Sequence, residues 1–305
     1  MERSESNSQF TTDNIPNDNE ALTKNFNNIL KCRDAYLPLN QRTLIMGVLN
    51  ITPDSFYDGG RYMSPDASLR QADRLVNEGA DIIDVGGEST RPGSEAVSEE
   101  EELKRVIPVV REINKRFDVV ISIDTTKKKV AQEALQEGAQ IVNDISGLRF
   151  GTGTAEAASE FGAGMVLMHT PSRPKDMQEH TRYVSLIDDI IHSLEISVRK
   201  AVEIGVDPKG IMIDPGFGFG KTAEQNLIIL KHLDRFRALG KPVLIGTSNK
   251  SFIGSATGSD IDSRSEGTAA TLAIGILNGA SVVRVHDVGK MKKVCLLADS
   301  VAHMN

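Results

Sequence analysis

The sequence predicts a closed α/β barrel of eight parallel strands, and three observations carry that prediction. Eight short apolar runs recur from residue 44 to residue 287, stretches with helical spacing separate them, and each run ends in polar residues. The runs are LIMGVLN (44–50), DIIDVGGE (81–88), VVISIDT (119–125), IVNDIS (141–146), GMVLMHT (164–170), IMIDPGF (211–217), PVLIGTS (242–248) and SVVRVHD (281–287). Short, apolar and rich in β-branched residues, they read as strands buried on both faces, the signature of a parallel sheet covered by helices. Eight strand–loop–helix units fit a (β/α)8 TIM barrel; a doubly wound open sheet is the alternative that the same alternation allows.

In chain order, residues 1–38 come first. They are rich in Asn, Ser, Asp, Glu and Thr, with apolar residues few and scattered. That is too little to bury a face, so a polar, disordered or loosely docked extension is expected, with the barrel domain over 39–305. The first run ends at Asn50 and passes into ITPDSFYDGG, where Pro53 restricts the start of a loop and Gly59 and Gly60 let it hinge as a lid. Two intervening segments, SPDASLRQADRLVNEGA and TKKKVAQEALQEGA, carry helical apolar spacing that stops at Gly79 and Gly138, as helix C-termini do.

The polar residues that end the runs are Asn50, Glu88 with Thr90 and Arg91, Asp124, Asn143 with Asp144, His169, Asp214, Ser248 with Lys250, and Arg284 with His286. In a barrel of this kind the C-terminal strand ends share one face, so one side chain from each strand can meet in a single pocket. Any one of them alone reads as a turn or capping residue. Eight together do not, and Asp84, Asn143 and Arg284 sit inside apolar runs, where an unpartnered polar group costs several kcal/mol.

Composition narrows the class of ligand. The chain has 305 residues, is 39% hydrophobic and 25% charged, and carries a net charge of −7 without a basic tract, which argues against nucleic acid as a partner. No run approaches the length of a bilayer span, and the first residues have neither a basic nor an apolar signal segment, so no membrane is expected. Cys32 and Cys295 are the only cysteines and lie far apart in sequence, which fits a reducing cytoplasm.

Asp124, Asn143 and Asp214 would present acceptors and an amide to the edge of a flat heterocycle rich in N–H donors. Arg91, Arg284 and His286 would supply the opposite sign at the rim, suited to a phosphate. The segments ESTRPGS and GTSNKSF set small hydroxyl residues beside a cation, the second just ahead of an expected helix. DPGFGFGKT echoes a nucleotide loop but lacks the spacing of one, and Phe219 there is suited to pack on a flat ligand.

The motifs MGVLNITPDSFYDGG, DIIDVGGESTRPGS, SIDT, VNDISG, MHT, IDPGFGFGKT, SNKSFIG and RVHDV, in this order from about residue 39 to 288, resemble those of the dihydropteroate synthase family. The resemblance implies condensation of (7,8-dihydropterin-6-yl)methyl diphosphate with 4-aminobenzoate to give 7,8-dihydropteroate and diphosphate, in folate biosynthesis. It implies Asp124, Asn143, Asp214 and Lys250 at the pterin, and Asn50, Thr90, Arg91, Arg284 and His286 at the diphosphate. Asn50 would also ligate Mg²⁺. Thr90, Pro92, Phe219 and Ser251 would shape the aminobenzoate site, and Asp124, Lys250 and Arg91 would be the catalytic set.

A homodimer in the cytoplasm is the family expectation. Two departures stand out: Asn249, where the family usually has Arg between Ser and Lys, and Tyr57, where a small residue is common. Two other readings share the barrel, a pterin-binding methyl-transfer module and a pterin-binding barrel without turnover. The loop motifs argue against the first.

Overall fold

Two antiparallel strands, β1 (Ile29–Cys32) and β2 (Ala35–Pro38), precede eight parallel ones in the computed structural model, which describes residues 29–52, 65–91, 93–258 and 264–304. The eight are β3 (Leu44–Asn50), β4 (Ile82–Gly86), β5 (Val120–Asp124), β6 (Ile141–Asp144), β7 (Gly164–Met168), β8 (Ile211–Asp214), β9 (Val243–Ile245) and β10 (Ala280–Val285). Each pairs with the next in the chain, and β10 returns to β3, so the sheet closes as a (β/α)8 barrel. All eight expected runs are these strands.

The helices follow the strands as expected. Pro65–Glu78, Glu99–Arg116, Lys128–Gln136, Gly153–Phe161, Leu186–Ile204, Ala223–Lys231, Ser265–Leu277 and Val288–Ala302 each connect to or close the barrel, with the short helix Ser251–Thr257 after β9. Gly79 and Gly138, the expected stops, hold φ values of +96° and +114°, the left-handed region that glycine adopts without strain.

Strand alternation sorts the buried residues into two cores. Ile83, Val85, Ile121, Ile123, Val142 and Leu167 face the helices. The opposite parity, Leu44, Met46, Ile82, Val120, Ile141, Val166, Met212, Leu244 and Val282, fills the barrel interior. Two residues further along the same inward rows stand Asp84, Ser122, Asn143, Asp214 and Arg284. The barrel is therefore apolar inside at the N-terminal end of its strands and polar at the C-terminal end.

The boundary of the folded domain needs correction. Residues 29–38, expected to belong to the polar extension, form the β1–β2 hairpin, which covers the N-terminal end of the barrel with Leu30 and Cys32 fully buried in the interior core. The hairpin is also pinned at its turn, where Arg33 donates to the Leu135 carbonyl at 2.7 Å from Nη1 and to the Gly162 carbonyl at 2.9 Å from its amide. Close approach requires glycine in the wall: a Cβ on Gly210 would lie 2.6 Å from the Lys31 carbonyl oxygen. Two alternate residues out of a four-residue strand sufficed, a signal too short to separate from scatter in a polar segment. Pro53, Tyr57, Gly59, Gly60 and Pro92 lie outside the described residues, as does the stretch 1–28.

Candidate active site

The inward rows converge at the C-terminal end of the barrel. Arg284 on β10 lies between two carboxylates, donating from Nε to Asp84 Oδ2 at 2.6 Å and from Nη2 to Asp124 Oδ2 at 2.8 Å. Asn143 on β6 donates its side-chain amide to the same Asp84 Oδ2 at 3.0 Å. Asp84 is fully buried, and Asn143, Asp124 and Asp214 nearly so. Gly86 leaves room beside them: a Cβ there would lie 3.6 Å from Asn50 Oδ1 and 3.6 Å from Asp124 Cβ, so Asn50 and Asp124 flank one opening.

Burial sets the electrostatics. It pushes Asp124 up to about 7, with Arg284 pulling the other way and Asp84, Glu102 and Asp144 adding to the rise. Asp214 is pushed up to about 6 by burial, against the hydrogen bond from the Gly216 amide at 2.7 Å and the charges of Lys250, Lys221 and Arg284. Lys250 is pushed down to about 8 by burial and by Arg284. Its ammonium sits 4.4 Å from the centre of the Phe219 ring, a cation–π contact in a buried site.

His286 departs from the expectation that it brings positive charge to the rim. Its side chain is exposed at the rim, and partial desolvation together with the neighbouring charges of Arg284, Lys250 and Arg91 lowers its pKa, so in the absence of an anion it contributes hydrogen bonding more than charge. Its Nδ1 lies 3.0 Å from Ser248 Oγ. Arg91 itself is exposed on the loop after β4, close enough for its charge to act on His286, and Thr90 precedes it, half-buried. The root of that loop is clamped, because Lys127 bridges Glu88 and the buried Glu102 while Arg105 Nη1 donates to the Gly87 carbonyl at 2.9 Å.

The loop after β8 is braced from below. Lys221 is buried, which pushes its pKa down to about 7, and its Nζ donates to the Gly216 carbonyl at 2.9 Å and the Phe219 carbonyl at 2.9 Å and lies 3.1 Å from His169 Nδ1. Gln178 adds a bond to the Gly218 carbonyl at 2.8 Å and Tyr183 one to the Gly220 carbonyl at 2.9 Å. Phe219 thus rests on Ile145, Met168 and Met177 as an apolar wall beside the acidic floor.

Asn249 has a physical rationale. It adopts φ +59°, a left-handed conformation that Asn tolerates better than most residues, and its backbone is held by Thr268 Oγ1 at 3.3 Å and by Arg264 Nη1 at 3.1 Å. The turn so fixed sets Ser248 against His286 and Lys250 over Phe219. Ser251 opens the short helix that follows and is exposed.

Most of the candidate set is therefore brought together: Asp124, Asn143, Asp214, Lys250, Arg284, His286 and Phe219 are linked by contacts or close charges at the C-terminal end of the barrel, with Asn50 beside Asp124 across Gly86. Thr90, Arg91 and Ser251 stand on the loops around it, and Pro92 is outside the described residues. Asp144, beside Asn143, points the other way, accepting from the Ser146 amide at 2.7 Å and Thr154 Oγ1 at 2.6 Å, which is a turn role. Two further residues belong to the site. Asp84 ends no strand, and only its parity with Ile82 puts it inside the barrel. Lys221 lies in a Gly-rich loop, which has no period that would reveal which way it points.

A family profile described as pterin binding enzyme matches residues 46–286. The chain is 45% identical to the dihydropteroate synthase of Bacillus subtilis, over 90% of this chain and 93% of that one. It belongs to the dihydropteroate synthase family. Solved members of the family are similar to it over most of the chain: the Yersinia pestis enzyme in a sulfonamide drug complex has a TM-score of 0.85 at 39% identity, covering 90% of this chain and 100% of that one. The Xanthomonas albilineans enzyme with 4-aminobenzoic acid has a TM-score of 0.84 at 37% identity, covering 91% and 99%. As a dihydropteroate synthase the chain is a transferase of folate synthesis.

Proposed function

We propose that Asp124, Asn143, Asp214 and Lys250 hold the dihydropterin ring at the floor of the barrel while Arg284, His286, Thr90 and Arg91 receive the diphosphate above it. The observation that carries this reading is the single buried cluster of acceptors beside one guanidinium, which suits a heterocycle with an N–H-rich edge joined to an anion. Phe219, Thr90 and Ser251 bound the place of 4-aminobenzoate.

Mg²⁺ takes oxygen ligands and commonly keeps water and substrate phosphate oxygens in its shell, so a site with one protein amide oxygen suits it. Asn50 Oδ1, facing the opening over Gly86, is that oxygen, and among the described residues no cluster of three or more His, Cys, Asp or Glu offers an alternative. When bound, the ion would neutralise charge on the departing diphosphate.

The protein's own part is electrostatic. Arg284, fixed by two carboxylates, and Lys250 stabilise the leaving anion, and no protein nucleophile is required. Asp124, as a carboxylate close to the pterin, stabilises positive charge that develops at the exocyclic carbon. Phe219 and the braced loop beneath it keep water from that carbon, leaving the amine of 4-aminobenzoate as the attacking group.

A homodimer through the last helices accompanies this reading. Ile274 and Leu277 on Ser265–Leu277 and Leu296, Leu297 and Val301 on Val288–Ala302 are exposed apolar side chains on helices that pack together, and a second copy of the chain is the occupant. Sedimentation equilibrium at micromolar concentration should return twice the chain mass. A cytoplasmic location is supported by Cys32 and Cys295 being free thiols.

Diphosphate release on mixing the two substrates, with and without Mg²⁺, tests the whole reading. Release that requires both substrates and the ion is expected, whereas pterin binding without release would contradict it.

A further inference from the structure

Asp84 touches two of the groups assigned to substrate, although it lies beneath them. It is fully buried, and one of its oxygens, Oδ2, accepts from both Arg284 Nε at 2.6 Å and Asn143 Nδ2 at 3.0 Å. Its other oxygen has no protein partner. An amide side chain has a donor end and an acceptor end, and nothing in Asn143 itself decides which end faces a ligand. A buried carboxylate decides it, because it accepts only from the NH₂ end, and reversal would set two oxygens against each other in a site without bulk water.

We propose that Asp84 is a positioning residue, holding Asn143 with its carbonyl oxygen toward the ligand and holding Arg284 through Nε so that its remaining N–H groups serve Asp124 and the diphosphate. Asn143 Oδ1 then joins the carboxylates of Asp124 and Asp214 as a row of acceptors, with Lys250 as the donor beside them. Such a row takes a heterocycle edge made of donors and rejects one that carries acceptors at the same places. The inference rests on the pterin reading above and adds to it a residue that touches no substrate.

The arrangement also accounts for the energetic oddity of the site. A carboxylate buried mid-strand with one unpartnered oxygen is costly, and replacement by a hydrophobic residue of similar volume would ordinarily be neutral or stabilising if its partners went with it. Its partners are the two side chains that the pocket presents, so the cost is tied to their orientation.

The test is a double-mutant cycle on binding of 6-hydroxymethyl-7,8-dihydropterin, a probe without phosphates, measured by calorimetry with the full chain. Asp84→Val, which keeps the volume and removes both acceptors, should weaken the probe about tenfold or more, the loss of an oriented hydrogen bond to a buried group. It should leave the KM for 4-aminobenzoate within about twofold. In the Asn143→Ala background the same change should cost less than about threefold, because the amide it orients is gone. Asp84→Asn keeps an acceptor of the same shape and should restore the probe to within about threefold of the parent.

Asp84→Val can fail to fold, since Arg284 would keep only one carboxylate; Asp84→Ala, smaller and likewise without an acceptor, then takes its place in the cycle with Asn143→Ala, and Asp84→Asn remains the conservative control. Additive losses in the cycle, or a tenfold loss in Asp84→Asn with the fold intact, would overturn the inference. A parent chain that does not bind the probe at all would instead overturn the pterin reading, so the two failures are distinguishable.

Discussion

The two ends of the barrel are made by the same strands and the same inward-facing rows, yet they have opposite chemistry. At the N-terminal end the rows present Leu44, Ile82, Val120, Val166, Met212 and Val282 and are sealed by Leu30 and Cys32 of the hairpin. Two or four residues later the same rows present Asp84, Asp124, Asn143 and Asp214, buried almost as deeply and far more costly to bury, with Arg284 half-buried among them. One end is a core that stabilises the fold; the other is held within that fold for the sake of a ligand.

The largest effect should come at the polar end. Asp124→Asn should lower kcat by about 10² to 10³, the usual scale for removing one preorganised electrostatic group, while diphosphate product inhibition stays within about threefold. Steady-state turnover and diphosphate inhibition of the same variant decide it, since equal losses in both would remove Asp124 from its role at the pterin. The sealed end should answer the other way. Leu30→Ala should cost about 2 to 5 kcal/mol in urea unfolding with both KM values within about twofold, because it opens a cavity far from the substrates.

Turnover against pH sharpens the contrast further. Asp124 and Asp214, pushed up to about 7 and about 6, must be carboxylates to act, so kcat/KM should fall as pH drops through that window. Lys250, pushed down to about 8, should give a second fall as pH rises and it loses its proton. Because these groups share one cluster, the limbs report the set, and Asp124→Asn should move the acid limb to lower pH. The smallest effect belongs to the turn at Asn249. Asn249→Gly, at a φ that glycine adopts freely, should change the unfolding free energy by less than about 1 kcal/mol and turnover by less than about twofold.

Most of the barrel was legible in the sequence because each strand is a short apolar run with a polar end, and the runs repeat eight times. The pocket was legible for the same reason: Asp124, Asn143, Asp214 and Arg284 occupy strand ends whose face is fixed by the closure of the barrel. What escaped was set by contacts across the chain. The hairpin is a four-residue strand pair whose stability comes from docking onto Gly164 and Gly210, and those contacts have no counterpart in local pattern. The protonation of His286 is biased by partial desolvation and by the charges of Arg284, Lys250 and Arg91 gathered around it, a property of packing. Asp84 and Lys221 act on the backbone or on other side chains, so neither ends a strand where a ligand-facing residue is sought.

The central claim, that the polar end is retained for binding at a cost to folding, is tested most directly by Asp214→Asn. Asp214 has a folded pKa raised to about 6, so the folded state holds its proton more tightly than the unfolded chain does. Ionisation therefore costs the parent stability as pH rises from the ordinary carboxylate range through about 6, a loss the variant does not share. Unfolding free energies of parent and variant should be measured from pH 4 to pH 8, with pterin affinity measured on the same preparations (about one point per half unit suffices). The account predicts that the variant gains on the parent up to about pH 6, stays level above it, and binds the pterin about tenfold more weakly or worse. A variant that loses stability together with affinity at pH 8 would contradict it.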